Sequence, residues 1–159
     1  MIDFFDNYLS IIVFLHVISA VIWVGGMIAI RFAVHYSMQN IEEPKIKLSR
    51  TLENLKRFFY MVIPSILLLL ITAVIMIINF KLKETPLYNI ATTKELIWIV
   101  MTIIFIIIYI KREKAQKAFD NNDMISAKNN LFPIATYLIP INIVLGIIAI
   151  FLGITLRGL

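Results

Sequence analysis

The chain has no cysteine, which excludes disulfides, thiolate metal sites and iron–sulfur clusters. Charge is scarce too: Asp, Glu, Lys and Arg make up 16% of the residues, against about 25% in an ordinary soluble domain. Basic residues are missing from Met1 through Asp6, so this start lacks the n-region of a cleavable signal peptide. The first apolar segment is therefore expected to stay in the mature protein.

What fills the 159 residues is apolar side chain, at 60%. A bilayer core of roughly 30 Å takes about 20 residues of helix to cross. Four runs are that long or nearly so, at residues 8–34, 58–80, 94–110 and 132–156. They leave room for no second domain, and the expected fold is an all-α integral membrane four-helix bundle.

The net charge of +5 sits in the connections between these runs. That placement suits the positive-inside rule of membranes and gives no reason to expect a nucleic-acid partner. Arg31, Lys45, Lys47, Arg50, Lys56 and Arg57 surround the first connection, and Lys111, Arg112, Lys114, Lys117 and Lys128 the third. The other side has Lys81, Lys83, Lys94 and Arg157. Eleven against four predicts cytoplasmic connections at residues 35–57 and 111–131, with both termini outside the inner (plasma) membrane.

Within the first connection, Asn40 and Glu43 have capping-box spacing and Pro44 suits a first helical turn. Leu48, Leu52, Leu55 and Phe59 then recur at helical spacing, so the second membrane helix is expected to begin in the cytoplasm as an amphipathic extension. That face suits a partner, a lipid surface or plain packing on its neighbour. Pro64 invites a kink near Ser65. Thr92 and Glu95 again have capping-box spacing, which places the start of the third helix near Thr93 and Lys94 in its first turn. Residues 111–130 read as a charged connection with turn signals at Asn121-Asn122-Asp123.

Against this apolar ground a few residues stand out. His16 lies inside the first span, where an unpartnered imidazole is costly and so marks a functional-site candidate. Trp23 follows seven residues later, within about 20° of His16 on an ideal helix. Gly25-Gly26 comes next and suits close helix packing or a hinge. On the third helix, Trp98, Met101, Phe105, Tyr109 and Arg112 fall within about 60° of Lys94 and form a face expected to point inward. Ala135, Asn142, Gly146, Ala149 and Gly153 make a small-residue stripe on the fourth, read either as packing or as the wall of a cofactor pocket.

Depth relates these groups. His16 lies about 12 Å from the outer surface if its helix enters near Tyr8. Lys94 opens the third helix on the same side and its stem reaches inward by about 6 Å. The two can approach one cofactor if their helices are neighbours, with tilt absorbing the remaining difference. His35 is about 28 Å from His16 along the axis, which rules it out as a co-ligand and leaves it an interfacial residue or part of a second metal or haem site.

His16-x6-Trp23-x-Gly25-Gly26, with Lys94 at the head of the third span, resembles the membrane domain of the copper-resistance protein D family. It is also similar to the related four-helix protoporphyrinogen oxidase family called HemJ, whose first helix carries a His…Trp-x-x-Gly pattern and then an Arg and a His. Arg31 and His35 are comparable here, and Arg57-Phe-Phe-Tyr-Met-Val-Ile-Pro64 is similar to that family's second helix. The HemJ resemblance implies haem b, with His16 and Lys94 as axial ligands. Trp23, Gly26, Trp98 and Asn142 are the further candidates for lining the cofactor.

Two segments depart from HemJ. Asn129-Asn130-Leu131-Phe132-Pro133 stands where that family carries Asn-Glu-x-Pro, and Tyr109-Ile110-Lys111 where it ends its third helix in Tyr-His. The run from Asn142 through Gly153 looks closer to copper-resistance D. The leading expectation is thus a copper-resistance D-like protein holding a metal (copper) or haem b at an outer-side site between helices one and three, serving copper handling or membrane redox. A quinone or porphyrin partner and a homo-oligomer go with it. Met27, Met61, Met76 and Met101 form no Met-x-x-Met ladder of the kind a copper path would use. The alternatives are a HemJ-like protoporphyrinogen IX oxidase, and a structural subunit in which His16 only bonds across helices.

Overall fold

In hydrocarbon every backbone N–H and C=O must be paired within the chain, and long helices do this segment by segment. The computed structural model describes the backbone of residues 2–80 and 85–156, with side chains from residue 8 onward, and every long element in it is helical. Four helices are long and apolar enough to cross a membrane. Helix α1 comprises Ile2–Ala20 and continues through Val21–Gly25, Gly26–Ala29 and Ile30–Val34 to His35–Gln39. Helix α2 is Pro44–Asn79, α3 is Tyr88–Asp120, and α4 runs over Met124–Thr155. Lys81, Lys83 and Arg157, three of the four basic residues on the less basic side, lie outside the described residues.

The connections are tighter than the charge pattern suggests. Asn40 closes α1 in a helical conformation, and four residues later Pro44 opens α2 as its first helical residue. The expected capping box is not made: Glu43 occupies the N-cap with extended backbone, and its side chain forms no cap bond. α2 then runs without interruption past Pro64, so its basic extension and its membrane span are one helix.

At the other end, α3 starts at Tyr88 rather than near Thr93. Thr92 and Thr93 do not cap it; their hydroxyls donate back to the carbonyls of Tyr88 and Asn89 at 3.0 and 2.8 Å. α3 also continues to Asp120, so residues 111–130 are helix on both sides of a three-residue turn. Asn122 takes φ 59° there, the left-handed conformation that asparagine tolerates, and Asp123 caps α4 by accepting from the Ser126 N–H at 2.9 Å.

Two helices depart from α geometry. α1 has π-helical turns at Val21–Gly25 and Ile30–Val34, and α4 has one at Ile134–Leu138, directly after Pro133. A π turn carries one more residue than an α turn and is often kept where function uses the widened backbone.

Successive helices pack side by side, α1 on α2, α2 on α3, α3 on α4, and α4 returns to α1. α1 and α3 thus face each other diagonally across the bundle. The shared interior holds Trp23, Val24, Met27, Phe58, Phe59, Val62, Met101, Phe105 and Ile143. Trp23 meets Phe105 edge to face at 6.4 Å, and Phe105 meets Phe59 at 5.3 Å, which joins α1, α3 and α2 at mid-height. Outward the surface is apolar as well: Phe14, Leu67, Ile106 and Phe151 are each at least half exposed. A surface so rich in large apolar side chains matches a lipid bilayer rather than water.

On α3 the inward face is Met101, Phe105, Ile108 and Arg112, with Trp98 partly buried above them. Tyr109, expected on this face, is 42% exposed, and its ring lies tilted against that of Phe59 with centroids 5.5 Å apart. Ile108 takes the core position because the α3 stripe passes between the two.

Candidate functional site

The interior has two polar ends and an aromatic middle. At the end bearing the termini, His16 of α1 and Thr72 of α2 lie with Nδ1 and Oγ1 2.8 Å apart. The Thr72 hydroxyl has one hydrogen, and its nearest acceptor is the Leu68 carbonyl at 2.7 Å. With that hydrogen committed to its own helix, Thr72 accepts and His16 Nδ1–H donates. The Nε2 of His16 is thereby left with its lone pair. This is the arrangement in which metal-binding histidines are usually held, one nitrogen fixed by a neighbour and the other free for the metal.

Lys94 reaches the same region from α3. A Cβ built on Gly153 of α4 would stand 3.0 Å from its Nζ, so the amine lies closely against the α4 backbone there. Its charge also acts on the His16 ring. Among the described residues Lys94 has no hydrogen bond or ion pair. The earlier start of α3 explains how it reaches so far in. Lys94 is six residues past Tyr88, about 9 Å along the axis, which removes most of the depth difference from His16. It is also beyond the first turn, where the helix dipole acts on it most weakly.

Below this pair come the other residues singled out in the sequence. Trp98 follows Lys94 by one turn of α3, and its indole N–H is buried without an acceptor among the described residues. Trp23 is 1% exposed, with its N–H in the same condition. Asn142 is fully buried; its amide donates to the Met101 carbonyl at 3.3 Å, while its Oδ1 has no donor. Two buried donors and one buried acceptor are thus unmatched between Trp98 and the mid-height layer of Trp23, Met101 and Asn142. Gly26 belongs elsewhere: its missing Cβ makes room for the Phe58 ring, 2.6 Å from where that atom would be. A Cβ at Gly25 would meet only Val21 of its own helix, at 4.0 Å.

His35, expected to be remote, is remote. It bonds to Gln39 at 3.2 Å at the opposite end of α1. Arg112 closes that end of the interior, donating to the Leu52 carbonyl of α2 at 3.1 Å, to Gln116 and to Glu113. Thr72 and Gly153 are the members of the His16 region that sequence reasoning did not pick out by role. Thr72 was visible as a polar residue in an Ile- and Leu-rich span, and Gly153 only as part of a stripe.

The donor set bears on what fits. Among the described residues no three His, Cys, Asp or Glu side chains form a metal-holding group. His16 and Lys94 are two nitrogen donors, fewer than the three or four protein ligands that a bare ion usually takes. Two nitrogen donors would suit a group such as a haem, which brings metal-binding nitrogens of its own. The residues present therefore fit haem b better than a resident copper ion. Comparison of the chain with protein-family models, with curated proteins and with solved structures returns no match.

Proposed function

We propose that this membrane protein holds haem b in the half of the bundle that bears the termini, through His16 and Lys94, and takes part in membrane redox chemistry. The observation that carries this reading is the convergence of one imidazole and one lysine from diagonal helices, with Thr72 leaving Nε2 of His16 free. Haem bound there would supply one-electron exchange within the membrane. The chain's own part is to orient and to insulate. Thr72 fixes the His16 ring, Gly153 admits the Lys94 stem, and the Trp23, Met101 and Phe105 layer separates the site from the far end. Lysine and histidine both bind metal deprotonated, so ligation is expected to weaken in acid. The buried indole donors of Trp23 and Trp98 are available to polar groups at a ligand's edge.

A lipid-soluble partner, a quinone or a porphyrin, fits a site enclosed by apolar helices. On the charge rule, the site lies toward the outer face of the plasma membrane. The test is an absorption spectrum of the protein purified in mild detergent after expression with ample haem precursor. A Soret band with a reduced b-type α band is expected, and His16→Ala should abolish it. A folded protein without any Soret band would overturn the reading. If haem is bound but the gene fails to rescue a porphyrin-accumulating, oxidase-deficient strain, the protein is a haem carrier or electron-transfer subunit rather than a protoporphyrinogen oxidase.

A further inference from the structure

The opposite end of the bundle contains a second feature that the haem reading does not use. A cavity of about 50 Å³ lies between α1, α2 and α4, with Ile30, Arg31, Val34 and His35 on one wall and Ile134 and Ala135 facing them. Thr51 and Asn54 of α2 add polar groups to its lining. Two of the three π-helical turns meet here: Ile30–Val34 contributes one wall and Ile134–Leu138 the other. Widened turns on separate helices thus border one space, and such turns tend to be kept where function needs them.

The charge of the cavity is uniform. Both Arg31 and Lys47 act electrostatically on His35. Among the described residues none of the three forms an ion pair, and the nearby Glu53 is taken by Arg50 and Arg57. The guanidinium of Arg31 stays within 5.9 Å of the Phe32 and Tyr36 rings, which hold it in place without neutralising it. Gln39 donates its amide to Nε2 of His35, so the proton of the neutral ring sits on Nδ1 as a further donor.

Size and position narrow the occupant. At about 50 Å³ the space is far below the several hundred Å³ that a drug-sized or macrocyclic ligand takes, and it suits a single small anionic group. Arg31 is the first charged residue after the apolar run of α1, which sets the cavity where headgroup phosphates lie. Apolar residues deeper in the lining, Leu55, Leu131 and Ile139, continue it toward the hydrocarbon. We infer that this cavity is a phosphate-binding site at the membrane surface, in which Arg31 and His35 hold the phosphate of an anionic phospholipid.

The inference is independent of haem and is read by lipid occupancy. Full-length protein in neutral detergent is titrated with phosphatidylglycerol and, separately, with phosphatidylcholine of the same chains, and bound lipid is counted by native mass spectrometry. Preferential retention of phosphatidylglycerol is expected, with affinity falling about tenfold in Arg31→Gln. Ala135→Leu, which fills the space and leaves every charge in place, should also release the lipid. Arg50→Gln, on an exposed ion pair, should leave it bound. Displacement of the lipid by millimolar inorganic phosphate would assign the same site to free phosphate; its failure to displace assigns the site to the headgroup. Wild-type lipid retention by folded Arg31→Gln would overturn the proposal.

Discussion

Thr72 decides which nitrogen of His16 is available, although it is one hydroxyl in a helix of isoleucines and leucines. Thr72→Val keeps the shape and removes the acceptor of the His16 Nδ1–H. On the haem reading this is expected to lower haem retention by about 10- to 100-fold, the usual effect of losing a partner behind a metal ligand. Haem content per protein, measured after dilution into haem-free detergent, checks it. If Thr72 served packing alone, Val would leave haem retention unchanged. Sequence reasoning found His16 but not Thr72, because the partner is fixed by which helix lies beside α1, and spacing along one helix does not contain that. A second residue-level expectation concerns Asp123. Its hydrogen bonds to Ser126 hold the carboxyl below the ordinary aspartate value. A group with a lowered folded pKa stabilises fully above its unfolded value, near 4, and loses that contribution as pH falls through the folded value. Asp123→Asn keeps a capping side chain but cannot titrate. Its melting temperature in detergent should therefore fall less steeply than wild type as pH drops below about 4.

The helices themselves were legible from apolar periodicity and the four long runs, whereas their ends and turns were not. α3 begins at Tyr88 because Thr92 and Thr93 bond back to their own helix, a use of threonine that competes with capping and looks the same in sequence. The π turns were equally hidden. Placing Trp23 by 100° steps from His16 assumes α geometry throughout, and the turn at Val21–Gly25 breaks that assumption. The glycines separate cleanly once the neighbours are known. A Cβ at Gly146 would stand 2.6 Å from Val24 Cγ2 and 3.2 Å from Met101, at the crossing of α4 with α1 and α3. Gly146→Ala is expected to destabilise the bundle by about 1–3 kcal/mol through overpacking. At Gly25 the added atom meets only Val21, at 4.0 Å, so Gly25→Ala should be neutral or stabilise by up to about 1 kcal/mol through helix propensity. Unfolding in mixed detergent compares the pair. Equal losses for both would mean that the crossing at Gly146 is not as close as described.

Across the whole molecule, polar groups tie the bundle at both ends while the middle is packed aromatically. His16 with Thr72 joins α1 to α2 at one end, and Arg112 with the Leu52 carbonyl joins α3 to α2 at the other. Lysine at 112 carries the charge but not the planar fork that serves Leu52, Gln116 and Glu113 together. Arg112→Lys is therefore expected to cost about 1.5–3 kcal/mol, the range for hydrogen bonds to a charged group. Charge also predicts an orientation. Four antiparallel helices put residues 8 and 155 at one end, and the turn at Asn121-Asn122-Asp123 at the other, beside the basic extensions of α2 and α3. Eleven of the fifteen basic residues lie toward that turn, which on the positive-inside rule is expected to be the cytoplasmic end. A reporter active only outside the cytoplasm should be active when fused after residue 159 and silent when inserted at residue 122. A fluorescent reporter that matures in the cytoplasm should show the reverse. Activity of the first reporter at residue 122 would invert the orientation, moving the His16 and Lys94 region to the cytoplasmic half and the Arg31 cavity to the outer surface. Matched signals at both positions would mean that α4 does not cross the membrane.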